Sequence, residues 1–450
     1  MLTNLIQQVT QLVAPAIALK TGSFPTNPST PPIDSSTKPV DAPTHYLRTV
    51  KLIMVTAENN NKYYEMHEQA DGTFTVHYGR VGGSKSSATY PMAQWDRKIR
   101  EKVAKGYVDQ THMYAEGPAV TDASTIANLE VRGLMSRLME LANQSIYQNY
   151  VVTAQQVTRK QVETAQQLLN DLTMLVALNA DVTAYNRTLL ELFKVIPRKM
   201  GKVGQHLLAQ TPQTADDLQT LHDQLASEQD TLDVMRGQVE LRQSQENPDQ
   251  TPASLLEMMN LTVEPVTDKR VLTLIKRMMG ADADKFDAAF SVSQAHTQAT
   301  FEAYVGHSPT PKTQLLWHGS RSENWLSILK TGLVLRPTNA VITGKMFGYG
   351  IYFADQFSKS LNYTSLHGSV WANGKQKEGY LGIYEVHVGK QMKVIKHKAE
   401  HMNLNSEALK KINPAYDSVF AQRGLCLLKN EFIVYNQAQC TVRYMVRIKM

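Results

Sequence analysis

Gly344-Lys345-Met346-Phe347-Gly348-Tyr349-Gly350-Ile351-Tyr352-Phe353-Ala354-Asp355 is the stretch on which the fold turns. It lies in a region whose character is mixed strands and short helices with Gly-rich turns. Upstream, the apolar run Leu316-Trp317 ends in the turn His318-Gly319-Ser320. Downstream comes Ser358-Lys359-Ser360-Leu361-Asn362-Tyr363, and much later Asn430-Glu431-Phe432-Ile433-Val434-Tyr435, within a β-rich C-terminus over residues 425 to 450. Singly these pieces are ordinary. A histidine after a strand is usually a hydrogen-bonded turn residue, strand aromatics are usually core, and one glutamate at a strand start is usually solvated. Their order is the informative property.

The surroundings bound what those blocks can serve. A chain of 450 residues with 42% hydrophobic and 20% charged content fits a multidomain, soluble globular protein. No apolar run approaches the roughly 18 residues of a membrane span, so no membrane partner is expected. The two cysteines, Cys426 and Cys440, form no paired-cysteine zinc pattern, so neither a structural metal nor a disulfide framework is expected, and a reducing compartment fits. Net charge is +6 but uneven: residues 45 to 110 carry ten basic and seven acidic groups, residues 111 to 309 sixteen and twenty-four, residues 310 to 450 nineteen and eight. An acidic middle beside a basic end predicts that the two pack together and that the basic part handles a polyanion.

Composition divides the chain into four. Residues 1 to 44 read as a flexible N-terminal segment: a short apolar helix, with a targeting segment as the alternative, followed by a Pro/Ser/Thr-rich linker. Residues 45 to 112 alternate in short β-prone runs, Val50 to Val55, Lys62 to Gln69 and Thr73 to Arg80, before a helix between Met92 and Tyr107 that aligns Trp95, Ile99 and Val103. Residues 120 to 250 are all helical by periodicity, with one stripe of Ile126, Leu129, Leu134, Leu138 and Leu141 and another of Leu168, Leu172, Leu175 and Val176. Pro197 ends one helix, and Thr214 with Asp217 makes a capping-box start for the next. Residues 255 to 450 form a mixed α+β unit.

In their order, the four blocks resemble the catalytic domain of the poly(ADP-ribose) polymerase family across residues 255 to 450. More loosely, Glu191 to Lys202 and Leu232 to Gly237 look like helix ends of that family's helical regulatory subdomain. Residues 45 to 112 resemble its DNA-break-sensing domain, named for a Trp-Gly-Arg motif and here reading Tyr78-Gly79-Arg80. The implied fold is multidomain: a small α+β DNA-binding domain, an all-α regulatory subdomain and an α+β ADP-ribosyltransferase domain without zinc fingers.

The resemblance implies NAD+ as substrate, with no metal, and roles for particular residues. The backbone of Gly319 and the hydroxyl of Ser360 hold the nicotinamide carboxamide, Tyr352 and Tyr363 sandwich the ring, and His318 bonds the adenosine ribose. Ser320 and Asn324 line the same cavity. Glu431, oriented by Lys359, bonds the nicotinamide ribose and favours the oxocarbenium-like state through which the glycosidic bond breaks. The His318, Tyr352, Glu431 set is the family's mark of chain extension. Tyr78, Gly79 and Arg80 are expected to meet a DNA end or nick, by stacking and by a phosphate fork. Implied partners are DNA ends and acceptor proteins including the chain itself, in the nucleus of a eukaryote or in the cytoplasm or nucleoid of a bacterial or viral host. Single-unit transfer and a DNA-end-binding scaffold with weak catalysis are the alternatives. Departures stand at Val334, where the family often has an arginine that Arg336 could replace, at Lys345, and across Gln391 to Gly424, which is hard to align.

Overall fold

The computed structural model describes residues 47–111, 123–150, 157–178, 181–243, 254–335, 346–369, 374–424 and 427–450. The expected helix and linker in residues 1 to 44, together with Arg336 and Lys345, lie outside the described residues.

Alternation between Thr49 and Arg80 builds an antiparallel meander. Strands β1 (Thr49–Thr56), β2 (Asn60–Glu68), β3 (Thr73–Arg80) and β4 (Ser86–Pro91) pair in succession, and β5 (Val108–Asp109) adds to the far edge of β1. Because strand side chains alternate, Val50, Leu52, Tyr64, Met66, Phe74 and Val76 share one buried face. The helix Trp95–Ala104 covers it, and Trp95 meets Phe74 edge-on at 5.1 Å. Val103, expected on that stripe, is half exposed, because the helix stops at Ala104 and turns away through Gly106.

The opposite face of β1 presents Ile53 and Val55 to a four-helix unit, Leu129–Asn149, Arg159–Ala177, Val182–Val195 and Ala215–Gln243. The predicted start of the last is present: Thr214 N–H donates to Asp217 Oδ2 at 3.0 Å and Asp217 N–H to Thr214 Oγ1 at 3.1 Å. Two expectations need correction. Leu129 is 74% exposed, because it is the first residue after the Asn128 cap and the buried face of the helix runs instead through Val131, Leu134 and Leu138. Met235-Arg236-Gly237 is no helix end, since the helix runs on to Gln243. Gly237 serves close packing instead: a Cβ there would stand 2.5 Å from Ser327 Cβ.

The seam between meander and helices is polar. Asn59, at φ +66°, accepts from Arg80 Nη2 on its side-chain oxygen and from Arg80 Nη1 on its carbonyl, each at 2.9 Å, while Val203 N–H reaches its Oδ1 at 3.1 Å. Arg80 also donates to the Gly201 carbonyl, and Asn61 Nδ2 to the Arg198 carbonyl at 3.1 Å. Asn59→Ala should therefore lose about 2 kcal/mol, combining left-handed backbone strain with two broken hydrogen bonds. Asn59→Gly should lose clearly less, because glycine carries no such strain; equal urea midpoints for the two variants would remove the strain argument.

The C-terminal unit holds two sheets. One comprises β6 (Leu261–Pro265), β7 (Phe286–Gln294), β14 (Cys440–Lys449), β10 (Glu378–His387) and β8 (Thr313–Gly319), in that spatial order and antiparallel throughout. The other comprises β11 (Gln391–Val394), β12 (Ser418–Ala421), β13 (Glu431–Val434) and β9 (Ile351–Phe353), with β11 and β12 parallel. They are stitched where Trp317 and Ala354 exchange backbone hydrogen bonds at 2.8 and 2.9 Å.

The helical unit rests on the helix Trp325–Thr331 of this last unit through an apolar core that includes Leu134, Met135, Trp325, Leu326 and Leu329. The charge asymmetry predicted that the acidic middle packs beside the basic end, as the helical unit does here; Glu240 of the helices interacts with Lys330 in the predicted sense, while the ion pair between Arg137 and Glu378 of β10 runs in the opposite one. Among the described residues no helix is long and apolar enough to cross a membrane.

Candidate active site

The Trp317–Ala354 stitch decides where the conserved-order blocks meet. Carrying β8 one residue further brings His318 beside β9, where its Nδ1 lies 3.0 Å from the Tyr352 carbonyl oxygen. Its ring stands edge-on to Phe353 and to Tyr384, both at 5.8 Å, which fixes its plane.

In the ladder between β9 and β13, Tyr352 lies opposite Ile433. Glu431, two residues from Ile433, therefore projects from the same face as Tyr352. It is 7% exposed, its Oε1 is paired with Lys359 Nζ, and its Oε2 has no hydrogen-bond partner among the described residues. Lys359 and Ser360 sit on the short helix Phe357–Ser360, held by Phe357 edge-on to Trp317 at 5.2 Å.

Tyr352 is immobilised by its hydroxyl, which accepts from Phe347 N–H at 3.1 Å and donates to the Gly348 carbonyl at 3.0 Å. Burial raises its pKa well above the ordinary value, and the charge of Glu431 adds to the rise. Tyr363 remains 41% exposed; burial, then the Glu431 charge, pushes its hydroxyl up to about 12, so both phenols stay neutral in ordinary buffers. Gly319 abuts the segment carrying Ser360 so closely that a Cβ would stand 2.0 Å from the Ser360 carbonyl oxygen. Asn324 Nδ2 donates to Ser320 Oγ at 3.2 Å, and Asn324 Oδ1 is buried without a partner among the described residues.

Three supporting residues escaped the sequence reading. Asn430 Nδ2 donates to Asp355 Oδ2 at 2.7 Å, its Oδ1 accepts from Arg423 N–H at 2.8 Å, and Lys429 Nζ reaches Ser358 Oγ at 2.7 Å. These ties brace the approach to Glu431 against the Asp355–Ser360 segment. Asp355 and Asn430 stood inside the quoted blocks, but nothing in their spacing discloses a cross-block bond.

The proposed DNA contacts lie apart from this cluster, on β3. Tyr78 is 38% exposed and packs on Tyr64 at 5.9 Å between ring centroids. Gly79 permits a tight return of the chain, since a Cβ would meet the Ser84 carbonyl oxygen at 2.5 Å. Arg80 is spent on the seam with the helices, where it holds Asn59 and Gly201. Val334 is half exposed.

Taken together, a buried carboxylate with one oxygen oriented by an ammonium and the other available, a fixed phenol, a fixed imidazole and a glycine-lined backbone edge suit a neutral aromatic amide and a sugar hydroxyl. Residues 269–450 match the family model described as the poly(ADP-ribose) polymerase catalytic domain. Over 162 residues the chain is 34% identical to the protein named "Putative poly [ADP-ribose] polymerase-like 100L" of Invertebrate iridescent virus 6, covering 35% of this chain and 83% of that one. Against poly(ADP-ribose) polymerase 2 of Arabidopsis thaliana identity is 30% over 220 residues, 43% of this chain and 34% of the relative. Poly(ADP-ribose) polymerase 2-A of Oryza sativa subsp. japonica aligns across 87% of this chain and 68% of its own length at 24% identity.

Proposed function

We propose, because this chain belongs to the poly(ADP-ribose) polymerase family, that it cleaves the nicotinamide–ribose bond of NAD+ and builds poly(ADP-ribose) on acceptor proteins, itself included, in response to DNA ends or nicks. The observation that carries the reading is Glu431: its Oε1 is fixed by Lys359, its Oε2 is buried with no hydrogen-bond partner among the described residues, and it shares a sheet face with Tyr352. That oxygen accepts the nicotinamide ribose hydroxyl, lowers the energy of the oxocarbenium-like state as the pyridine ring leaves, and then polarises the attacking hydroxyl of the acceptor. Tyr352 and Tyr363 flank the leaving ring, Gly319 and Ser360 hold its carboxamide, Ser320 and Asn324 line the cavity beside it, and His318 takes the adenosine ribose. The His318, Tyr352, Glu431 set favours chain extension over single transfer.

The test is nicotinamide release from labelled NAD+, with and without blunt, nicked and phosphorylated DNA, followed by gels of the automodified chain. Ladders or smears support polymer synthesis, and a single sharp band supports single-unit transfer. DNA binding without nicotinamide release leaves only a scaffold.

The position of the helices supports regulation through them. The helix Ala215–Gln243 presses Gly237 against Ser327, a few residues beyond Ser320, and Arg80 and Asn59 link the same helical unit to the sheet that bears Tyr78. In this reading DNA bound at Tyr78 loosens the helices through that seam, and the site opens by local unfolding. Gly237→Ala forces the helix off Ser327 and should raise DNA-independent nicotinamide release by about threefold or more, as expected for a coupling free energy of modest size. Unchanged basal release in a folded Gly237→Ala protein would count against inhibition by this contact.

A further inference from the structure

Beyond those roles, the poorly alignable stretch after β11 performs a task of its own around the glycine turn that precedes Tyr352. His397 Nε2 lies 2.6 Å from the Met346 carbonyl oxygen. A carbonyl only accepts, so Nε2 carries the proton and donates. The Phe347 ring packs against two imidazoles, edge-on to His397 at 5.5 Å and stacked with His401 at 5.8 Å. Leu404 closes the turn from the same side: its carbonyl accepts from Tyr349 N–H at 2.8 Å, and Gly348, at φ +70°, approaches so near that a Cβ would stand 2.1 Å from that oxygen. From the other side the Tyr435 hydroxyl donates to the Phe347 carbonyl at 2.6 Å. Phe347 N–H in turn bonds the Tyr352 hydroxyl. A continuous path of bonds therefore leads from His397, through Met346 and Phe347, to the ring that faces Glu431.

We propose that His397 is a positioning residue for the NAD+ site: its Nε2–H clamps the Met346 carbonyl and so holds the turn that aims Tyr352. The proposal rests on the NAD+ reading given above. His401, only 4% exposed and stacked on Phe347, supplies packing to the same turn. The clamp acts on where the nicotinamide ring is received, not on the carboxylate that assists bond cleavage, so its loss falls on substrate binding more than on turnover.

The experiment uses the full chain and three variants. His397→Ala removes both donor and ring, His397→Phe keeps a ring against Phe347 without a donor, and His397→Gln restores an N–H on a side chain of similar reach. Steady-state nicotinamide release should show KM for NAD+ raised about 5- to 20-fold in the Ala and Phe variants with kcat within about threefold, and both near wild type in the Gln variant. Backbone amides of residues 346 to 352 should exchange hydrogen faster in the Ala and Phe variants and at the wild-type rate in the Gln variant. Wild-type KM in His397→Phe overturns the clamp and leaves ring packing alone. So does a uniform fall in kcat and melting temperature across all three variants with KM unchanged. If the wild-type chain releases no nicotinamide, the NAD+ reading fails by itself, and the exchange rates still decide whether His397 holds the turn.

Discussion

Glu431→Gln should leave NAD+ binding nearly intact while slowing nicotinamide release by at least about thirtyfold, or about 2 kcal/mol of transition-state stabilisation. The amide keeps the shape of the side chain and can still accept a hydroxyl, so the ground-state complex changes little. What disappears is the negative charge facing the sugar as it becomes cationic. A second effect is structural. The Lys359 side chain is 16% exposed, and the substitution removes its counter-charge, so the variant should also melt at a lower temperature. Lys359→Met combined with Glu431→Gln should recover much of that stability without recovering activity. Full-speed release by the single variant, at saturating NAD+, would remove Glu431 from the chemistry.

Gly319→Ala should be a severely damaging single methyl at the site. Its Cβ would stand 2.0, 2.8 and 3.3 Å from the Ser360 carbonyl oxygen, carbonyl carbon and Cα, all backbone atoms that no rotamer change can move. Overpacking of this kind typically costs about 1–3 kcal/mol, and relief requires pushing Ser360 away from the end of β8. That displaces Lys359 and Tyr363 with it, so nicotinamide release should fall by more than about a hundredfold, consistent with a misplacement of an ångström at a reacting centre. Gly306→Ala is the matched control, because nothing lies within 4 Å of the Cβ it would add. Similar activity and melting temperature for the two variants would show that the close approach at Gly319 is not required.

Much of the architecture was legible from pattern alone. Period-two alternation found β1 to β3 within a residue or two, and the Thr214–Asp217 pair announced its helix, because both signals are local. Strands β4 and β5 were missed: Ser86 to Pro91 buries no side chain fully, and Val108–Asp109 is too short to show a period. For the site, the blocks that carry the resemblance supplied His318, Tyr352, Lys359 and Glu431, which the β9 strand, its ladder with β13 and the Lys359–Glu431 pair place side by side. The bracing by Asp355, Lys429 and Asn430, and the His397 clamp, depend on bonds between blocks 51 to 75 residues apart. Such bonds leave no periodic trace. Gly237 was misread as part of a helix end because a loose resemblance was followed there. The missing side chain instead answers to a neighbour from another unit, a pressure invisible along the chain.

The reciprocal bonds between Trp317 and Ala354 join two sheets that also share apolar contacts, Phe353 of one against Tyr384 of the other. The imidazole belongs to one plate and the phenol with its carboxylate to the other, so the proposed receptor for the dinucleotide straddles the seam between them. A guest lodged there would be gripped from both sides, and a substitution along the seam would alter that grip without rebuilding either plate.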